Sequence, residues 1–388
     1  MKRVGVIGGG QLAWMMGLAA QKLGIELLVQ TPQPTDPAVR TAAAAVLASI
    51  ADSTATARLA ARCDRITFEN EFIDLEALTA LEQQGVCFRP RLSALAPLLD
   101  KYRQRCYLQA LGLPTPRFAA TEEGTNVAAA MALLQHAELD FPLVLKTRRH
   151  GYDGQGTVIL KNKAMLHHAW QQLGAQPLLI EEFVPFEREL AAIAARAATG
   201  EIALYPIVET QQEDQICRRV LVPATVNSAI TSQIEAIIRS LLENLDVVGL
   251  FGVELFLTAT GKVLVNEIAP RTHNSGHFSL DACQTSQFEQ HLRAVCDLPL
   301  GNPKLCCQGA VMVNLLGYEQ TTSDYLDKRG QLAQVPHAFV HWYGKTESRP
   351  GRKLGHVTVV QPGPGPLSPR DQALADARQI ESIWYNQV

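Results

Sequence analysis

Short apolar runs alternate with amphipathic stretches along the first hundred residues. Arg3–Ile7, residues 26–30 and Arg65–Phe68 have the length and texture of strands. Residues 12–23 and Leu75–Gln83 repeat apolar side chains at helical spacing, and the Ala-rich segments 38–48 and 54–62 predict further helix. Strands alternating with helices at these lengths predict a parallel sheet with helices on its faces. Residues 101–111 predict a helix whose exit is marked by Gly112-Leu113-Pro114-Thr115-Pro116.

The texture then changes. Residues 141–147, Thr157–Leu160, 177–183 and 189–197 read as strands, the third ending in the paired acids Glu181 and Glu182. Ser228–Leu245 is the longest helical pattern. Residues 250–257 and 262–268 flank Thr258-Ala259-Thr260-Gly261, which predicts a hairpin with a four-residue loop. Beyond Gly301-Asn302-Pro303 come short strands, a Pro/Gly-rich loop from Gln361 to Pro366, and a last helix near 370–384.

Composition narrows the function classes. The chain has 388 residues, 47% hydrophobic and 19% charged, as a folded protein of two or three domains does. A net charge of -3 gives no electrostatic case for nucleic acid as the partner. No apolar run has the length of a membrane span, and the opening run before Gly8 is too short for a signal peptide. The eight cysteines include no Cys-x-x-Cys pair; they read as reduced, packed thiols, which points to the cytoplasm.

Several motifs carry candidate chemistry. Gly8-Gly9-Gly10-Gln11-Leu12-Ala13 fits a dinucleotide fingerprint between a strand and a helix, where backbone amides could hold a phosphate. The second strand ends Val29-Gln30-Thr31-Pro32 without the acid an NAD ribose needs, so NAD is a weak reading. Gly344-Lys345-Thr346 lacks the upstream glycine of a P-loop. Gly151, Gly154 and Gly156 lie just after Lys146, in a hairpin whose amides can close over phosphate oxygens.

Glu254 and Glu267 sit on the two strands of the later hairpin. A four-residue loop pairs Glu254 with Val265 and Gly252 with Glu267, making the glutamates diagonal neighbours roughly 7–8 Å apart on one face. A divalent cation relieves their repulsion. Simple alternation sends Asn266 to the other face. His273 and His277 are four apart, but Pro270 and Gly276 argue against a helix and so against zinc. A loop offering Arg271 and His273 to an anion fits better. Lys345, Arg349, Arg352, Lys353 and His356 gather around Pro350-Gly351 as a phosphate or carboxylate pocket.

Together these strings resemble the ATP-grasp superfamily, and within it the N5-carboxyaminoimidazole ribonucleotide synthetase family. Its carriers are Gly8-Gly9-Gly10-Gln11-Leu12, Phe68-Glu69-Asn70-Glu71, Lys146 with Gly151-Tyr152-Asp153-Gly154-Gln155-Gly156, residues 266–277 and residues 349–356. The resemblance implies an α/β and α+β chain: a Rossmann-like pre-ATP-grasp domain over 1–100, an ATP-grasp domain over 101–298 with a lid at about 115–187, and a C-terminal mixed β domain over 299–388. It implies a carbon–nitrogen ligase that joins bicarbonate to 5-aminoimidazole ribonucleotide through carboxyphosphate, forming ADP and phosphate in purine biosynthesis. A homodimer is also implied.

By the same resemblance, Lys101, Lys146, Gly151, Tyr152, Asp153, Gly154, Gln155, Gly156 and Thr157 hold ATP phosphates or close over them. Glu181, Glu182, Phe183 and Val184 line the adenine, Glu189 takes the ribose, and Asn266 and Glu267 complete the nucleotide site. Glu254 and Glu267 carry Mg2+, with Mn2+ able to replace it. Asp153, Arg271, His273 and Lys353 are the catalytic candidates. Gln11, Leu12, Glu71, Tyr152, His273, Asn274, Lys345, Arg352 and Lys353 surround the ribonucleotide. Ala13, Trp14, His150 and Gln212 depart from the family pattern. A formate-dependent transformylase, an NAD oxidoreductase and a catalytically silent nucleotide-binding relative are the competing readings; residues 349–356 speak against the first.

Overall fold

The computed structural model describes residues 1–149, 151, 156–174, 176–363 and 367–385. Tyr152, Asp153, Gly154 and Gln155 of the glycine-rich loop, together with His150, lie outside the described residues.

The first sheet is parallel, built from β1 (Arg3–Ile7), β2 (Glu26–Thr31), β3 (Ala44–Leu47) and β4 (Arg65–Phe68) in the order β3-β2-β1-β4. Val4, Val6, Leu27 and Val29 pack under the helix Gln11–Leu23, while Ile7, Leu28, Ile66 and Phe68 fill the opposite face. Strands covered on both faces read as continuous apolar runs, which is why they were visible in sequence.

One expected helix is absent. Residues 38–48 form a 3-10 turn, Pro37–Arg40, followed by β3, which pairs in parallel with β2 from Leu28↔Ala44 to Thr31↔Leu47. Alanine favours helix locally, but the open edge of β2 supplies hydrogen bonds that override that preference.

The second sheet holds β5 (Phe118–Thr121), β6 (Leu143–Thr147), β7 (Thr157–Leu160) and β8 (Leu178–Glu182), antiparallel in the order β5-β8-β6-β7. Leu143 and Leu145 face the helices Val127–His136 and Lys163–Leu173. Period-two alternation therefore turns Val144 and Lys146 to the other face, with Glu181 opposite Val144 and Leu179 opposite Lys146 on β8.

The third sheet has nine strands: β9 (Phe186–Arg196), β10 (Ile202–Leu204), β11 (Val208–Glu213), β12 (Ile216–Val222), β13 (Gly249–Thr258), β14 (Val263–Ala269), β15 (Gly309–Leu316), β16 (Ala338–Trp342) and β17 (Lys353–Gln361). Its path β14-β13-β9-β11-β12-β15-β17-β16, with β10 beside β9, runs unbroken across residue 299. The helix Ser228–Leu245 lays Ile230, Ile234, Ile237, Ile238, Leu241, Leu242 and Leu245 on this sheet. Each such buried side chain contributes roughly 1.5–3 kcal/mol relative to exposure. Asn227 caps the start of that helix and Asp246, at φ 45°, ends it.

All eight cysteines are free thiols, and no helix among the described residues is long and apolar enough to cross a membrane.

Candidate active site

The β13–β14 hairpin sets the centre of the site, in a register different from the expected one. Leu257 pairs with Val263 rather than Lys262, because the loop is the three residues Ala259–Gly261, with Gly261 at φ 78°. A bulge then opposes Asn266 and Glu267 to the single residue Glu254. The two glutamates are thus direct cross-strand partners instead of diagonal neighbours. The extra residue also breaks alternation, so Asn266 shares their face: its Nδ2 lies 3.4 Å from Glu254 Oε2 and its Oδ1 accepts from Lys146 Nζ at 3.1 Å.

These carboxylates feel each other. Burial first, then the charges of Glu267 and Glu189, push the Glu254 carboxyl up to about 7, against the pull of Lys101 and Lys353. For Glu267 burial acts the same way, but Lys101, Lys146 and Arg105 outweigh it and lower the carboxyl below its usual range. The side chains keep 32% and 41% of their surface open, so the burial is that of a cleft floor enclosed by protein.

Two lysines face this floor. Lys101 opens the helix Lys101–Ala110, capped by the Asp100 carboxylate, and its ammonium pairs with Glu267. Lys146 pairs with Glu181 at 2.7 Å. Glu181 also takes the buried Arg105 guanidinium. Burial pushes Glu181 up, yet the two cations win and hold it at about 2. Arg105 donates further to the Asn266 carbonyl at 2.6 Å, bracing the bulge from behind.

The rim of the expected adenine pocket is partly engaged in holding the lid sheet. Glu182 binds Arg117 at 2.8 Å, and the Phe183 amide donates to the Pro142 carbonyl at 3.2 Å. Buried Val184 follows in the connection to β9. Glu189 is pushed up by burial, against the opposing influence of the Gln212 side chain. Thr157 starts β7, and Gly151 and Gly156 flank the undescribed part of the loop.

Loop residues after β14 bring the anion-binding candidates to the same floor. Arg271 pairs with Glu71 at 2.9 Å. His273 Nε2 is 3.5 Å from Glu254 Oε1, and its Nδ1 meets Ser275 Oγ at 2.8 Å. Gly252 on β13 permits this approach, since a Cβ there would lie 2.5 Å from His273 Cβ. Gln287 fixes the loop by accepting from the His273 amide at 2.9 Å and donating to the His273 carbonyl at 2.8 Å. The Asn274 side chain is paired reciprocally with the Asn314 amide at 2.9 and 2.8 Å, a structural engagement that sequence spacing did not reveal.

From the C-terminal region, Lys353 begins β17 close enough for its charge to lower the Glu254 carboxyl. Lys345 donates to the Lys353 carbonyl at 2.6 Å, and Arg352 to the Glu347 carbonyl at 2.9 Å.

Three amides of the glycine turn at the first strand are engaged by a protein carboxylate. The buried Glu69 carboxylate accepts from the amides of Gly10 at 2.6 Å, Leu12 at 3.0 Å and Ala13 at 3.3 Å. A Cβ on Gly10 would lie 2.5 Å from Glu69 Oε1, so the glycine admits a protein carboxylate to the helix N-terminus. Gln11 and Leu12 stand at that helix start, and Trp14 meets Tyr343 edge-on, with ring centroids 6.2 Å apart.

Residues 106–288 match the ATP-grasp domain, residues 1–97 the ribonucleotide synthetase preATP-grasp domain, and residues 310–365 the phosphoribosylaminoimidazole carboxylase C-terminal domain. An N5-carboxyaminoimidazole ribonucleotide synthase from Synechococcus elongatus is 55% identical over 386 residues, covering 100% of this chain and 96% of its own. The chain belongs to the N5-carboxyaminoimidazole ribonucleotide synthase family. Two crystal structures of that enzyme from Aspergillus clavatus each superpose with a TM-score of 0.90. The ATP complex is 32% identical, covering 99% of this chain and 98% of its own. The complex with ADP and 5-aminoimidazole ribonucleotide is 31% identical and covers 99% of both chains. The synthase fold is that of an ATP-grasp ligase, with the preATP-grasp and C-terminal domains the resemblance implied.

Within this synthase framework, sequence reading missed Arg105, Gln104 and Gln287, and the hold of Glu69 on the helix start. Gln104 ties its helix to β14 through both its amide groups, at 2.9 and 3.1 Å from the Ile268 backbone. Their common signal is a polar side chain on an otherwise buried face.

Proposed function

We propose that the Glu254–Glu267 floor holds a magnesium-bound nucleotide for the reaction of the synthase family, the ATP-dependent carboxylation of 5-aminoimidazole ribonucleotide on the way to purines. The observation that carries this reading is the cross-strand glutamate pair with Lys101, Lys146 and Asn266 on the same face. Two mutually repelling carboxylates beside an amide form a hard oxygen donor set suited to Mg2+, or to Mn2+ in its place. When bound, the ion supplies charge neutralisation for the phosphates.

Lys101 then exchanges its Glu267 partner for phosphate oxygens, and Lys146, still braced by Glu181, meets them beside it. Gly151, Gly156 and Thr157, with Tyr152, Asp153, Gly154 and Gln155, close the loop over the triphosphate. The backbone of 182–184 borders the adenine, Glu181 holds Lys146 in place, and Glu189 takes the ribose hydroxyls with Gln212 orienting it. Arg271 and His273 bind bicarbonate. A bicarbonate oxygen attacks the γ-phosphorus and the bond to ADP breaks, giving carboxyphosphate. The substrate amine then forms a bond to the carboxyl carbon as phosphate leaves, and its proton passes to a base, for which Asp153 is the candidate. Gln11, Glu71, Arg352 and Lys353 border the ribonucleotide, and Lys345 and Asn274 act by positioning Lys353 and the loop. The chain works in the cytoplasm as a homodimer.

The test is ADP release with 5-aminoimidazole ribonucleotide. Release that requires bicarbonate and is unmoved by formate supports the assignment. Release with formate and glycinamide ribonucleotide instead, or no release at all, overturns it.

A further inference from the structure

Three imidazoles and a carboxylate gather where the helix Ser279–Ala282 meets β16 and β17. His341 and His356 are cross-strand partners whose rings lie 4.5 Å apart and 15° from parallel. His341 Nε2 is 2.9 Å from Asp281 Oδ2. One donor atom each from Asp281, His341 and His356 lies within 4.8 Å of the other two.

His356 is fully buried. Its Nδ1 bonds the Tyr343 hydroxyl at 2.8 Å, while its Nε2 has no hydrogen-bond partner among the described residues. An imidazole fixed through one nitrogen, with the other left bare, is the arrangement of a histidine that ligates a metal. Without a ligand, a buried ring nitrogen of this kind is costly.

His277 closes the far side, with its ring centroid 5.0 Å from that of His356. The Gln287 amide, oriented by its two bonds to the His273 backbone, donates to His277 Nδ1 at 2.9 Å. The neutral His277 ring therefore carries its proton on Nε2, which makes it a neighbour and not a ligand.

We propose that Asp281, His341 and His356 form a second metal site, for a borderline divalent transition ion such as Zn2+, Co2+ or Ni2+. Two imidazoles and one carboxylate suit that class and leave a position for water, whereas the glutamate floor suits a hard cation. The His341 side chain keeps 21% of its surface exposed, so its ring can turn toward the ion about its soft terminal torsion, while His356 stays fixed. His356 lies three residues beyond Lys353 on β17, so the ion would anchor the strand that presents Lys353.

Full-length protein stripped by a chelator, without nucleotide or magnesium, is titrated with Zn2+ in a calorimeter. Wild type and Glu254→Gln should each bind about one Zn2+ at this site, and His341→Ala and Asp281→Asn should each weaken binding at least about tenfold. Both substituted positions keep some surface exposure, and circular dichroism checks their folding. Co2+ should give the intense visible absorption of a low-coordinate ion in wild type, lost in His341→Ala. Zn2+ binding that survives both His341→Ala and Asp281→Asn unchanged, or that disappears in Glu254→Gln alone, overturns the site, as does no Zn2+ binding by wild type.

Discussion

Glu254 and Glu267 face each other directly across β13 and β14, yet the Lys101 ammonium is bonded to Glu267. The pair is asymmetric in consequence: the Glu254 carboxyl is pushed up to about 7 while that of Glu267 is lowered. Removing the charge of Glu267 should leave the hairpin in place, because its strands are held by backbone pairing and the Ser228–Leu245 core. Glu267→Gln is expected to lower kcat at least about a hundredfold, the effect of losing a few kcal/mol of charge stabilisation. An unchanged circular dichroism spectrum with near-normal turnover would refute the metal assignment.

Glu181 lies between Arg105 and Lys146 with almost no exposed surface. Glu181→Gln leaves Arg105 buried without its counter-charge and should destabilise the fold by about 3–5 kcal/mol in urea at pH 7. The folded carboxyl sits at about 2, below the unfolded value of about 4.3. The stabilisation is therefore fully present above the unfolded value and is lost as pH falls through the window toward about 2. The gap between wild type and Glu181→Gln should narrow across that window; a gap independent of pH would assign the effect to packing.

Gln212 on β11 neighbours Glu189 on β9 and opposes the rise that burial imposes on its carboxyl. Gln212→Leu should raise the KM for ATP about tenfold with kcat little changed, as loss of one polar neighbour that supports the charged form of Glu189 implies. Steady-state kinetics at saturating ribonucleotide measure this. An equal fall in kcat with KM unaltered would remove Glu189 from ribose binding.

Glu69 occupies the amides at the start of the helix Gln11–Leu23. Gly10→Ala brings a methyl group against that carboxylate and should cost about 1–3 kcal/mol in thermal or urea unfolding. NAD should show no saturable binding by equilibrium dialysis to either protein. Tight NAD binding by wild type would reopen the dinucleotide reading.

The place of Lys146 just before the glycine loop marked it in sequence, and the spacing of Glu254 and Glu267 was enough to put both on one hairpin. The register was off by one from the turn, where the loop is one residue shorter than expected, and by one more past the bulge, which has no local signature: Asn266 is an ordinary strand residue until its neighbours across the sheet are known. Residues 8–13 were ambiguous for a related reason, since helix-start amides accept a phosphate and a protein carboxylate alike, and Glu69 is more than fifty residues away. Arg105 acts through Glu181, far along the chain, which no window of sequence contains.

The helix Gln287–Val295 has one further consequence. Its first residue grips the backbone of His273, while Phe288, Leu292 and Val295 are embedded under the helix Gln11–Leu23 of the amino-terminal sheet. A loosened apolar contact beneath that sheet would reach the catalytic loop as a change in aim, with no reacting residue altered. Chemistry and amino-terminal packing in this enzyme therefore drift together or not at all.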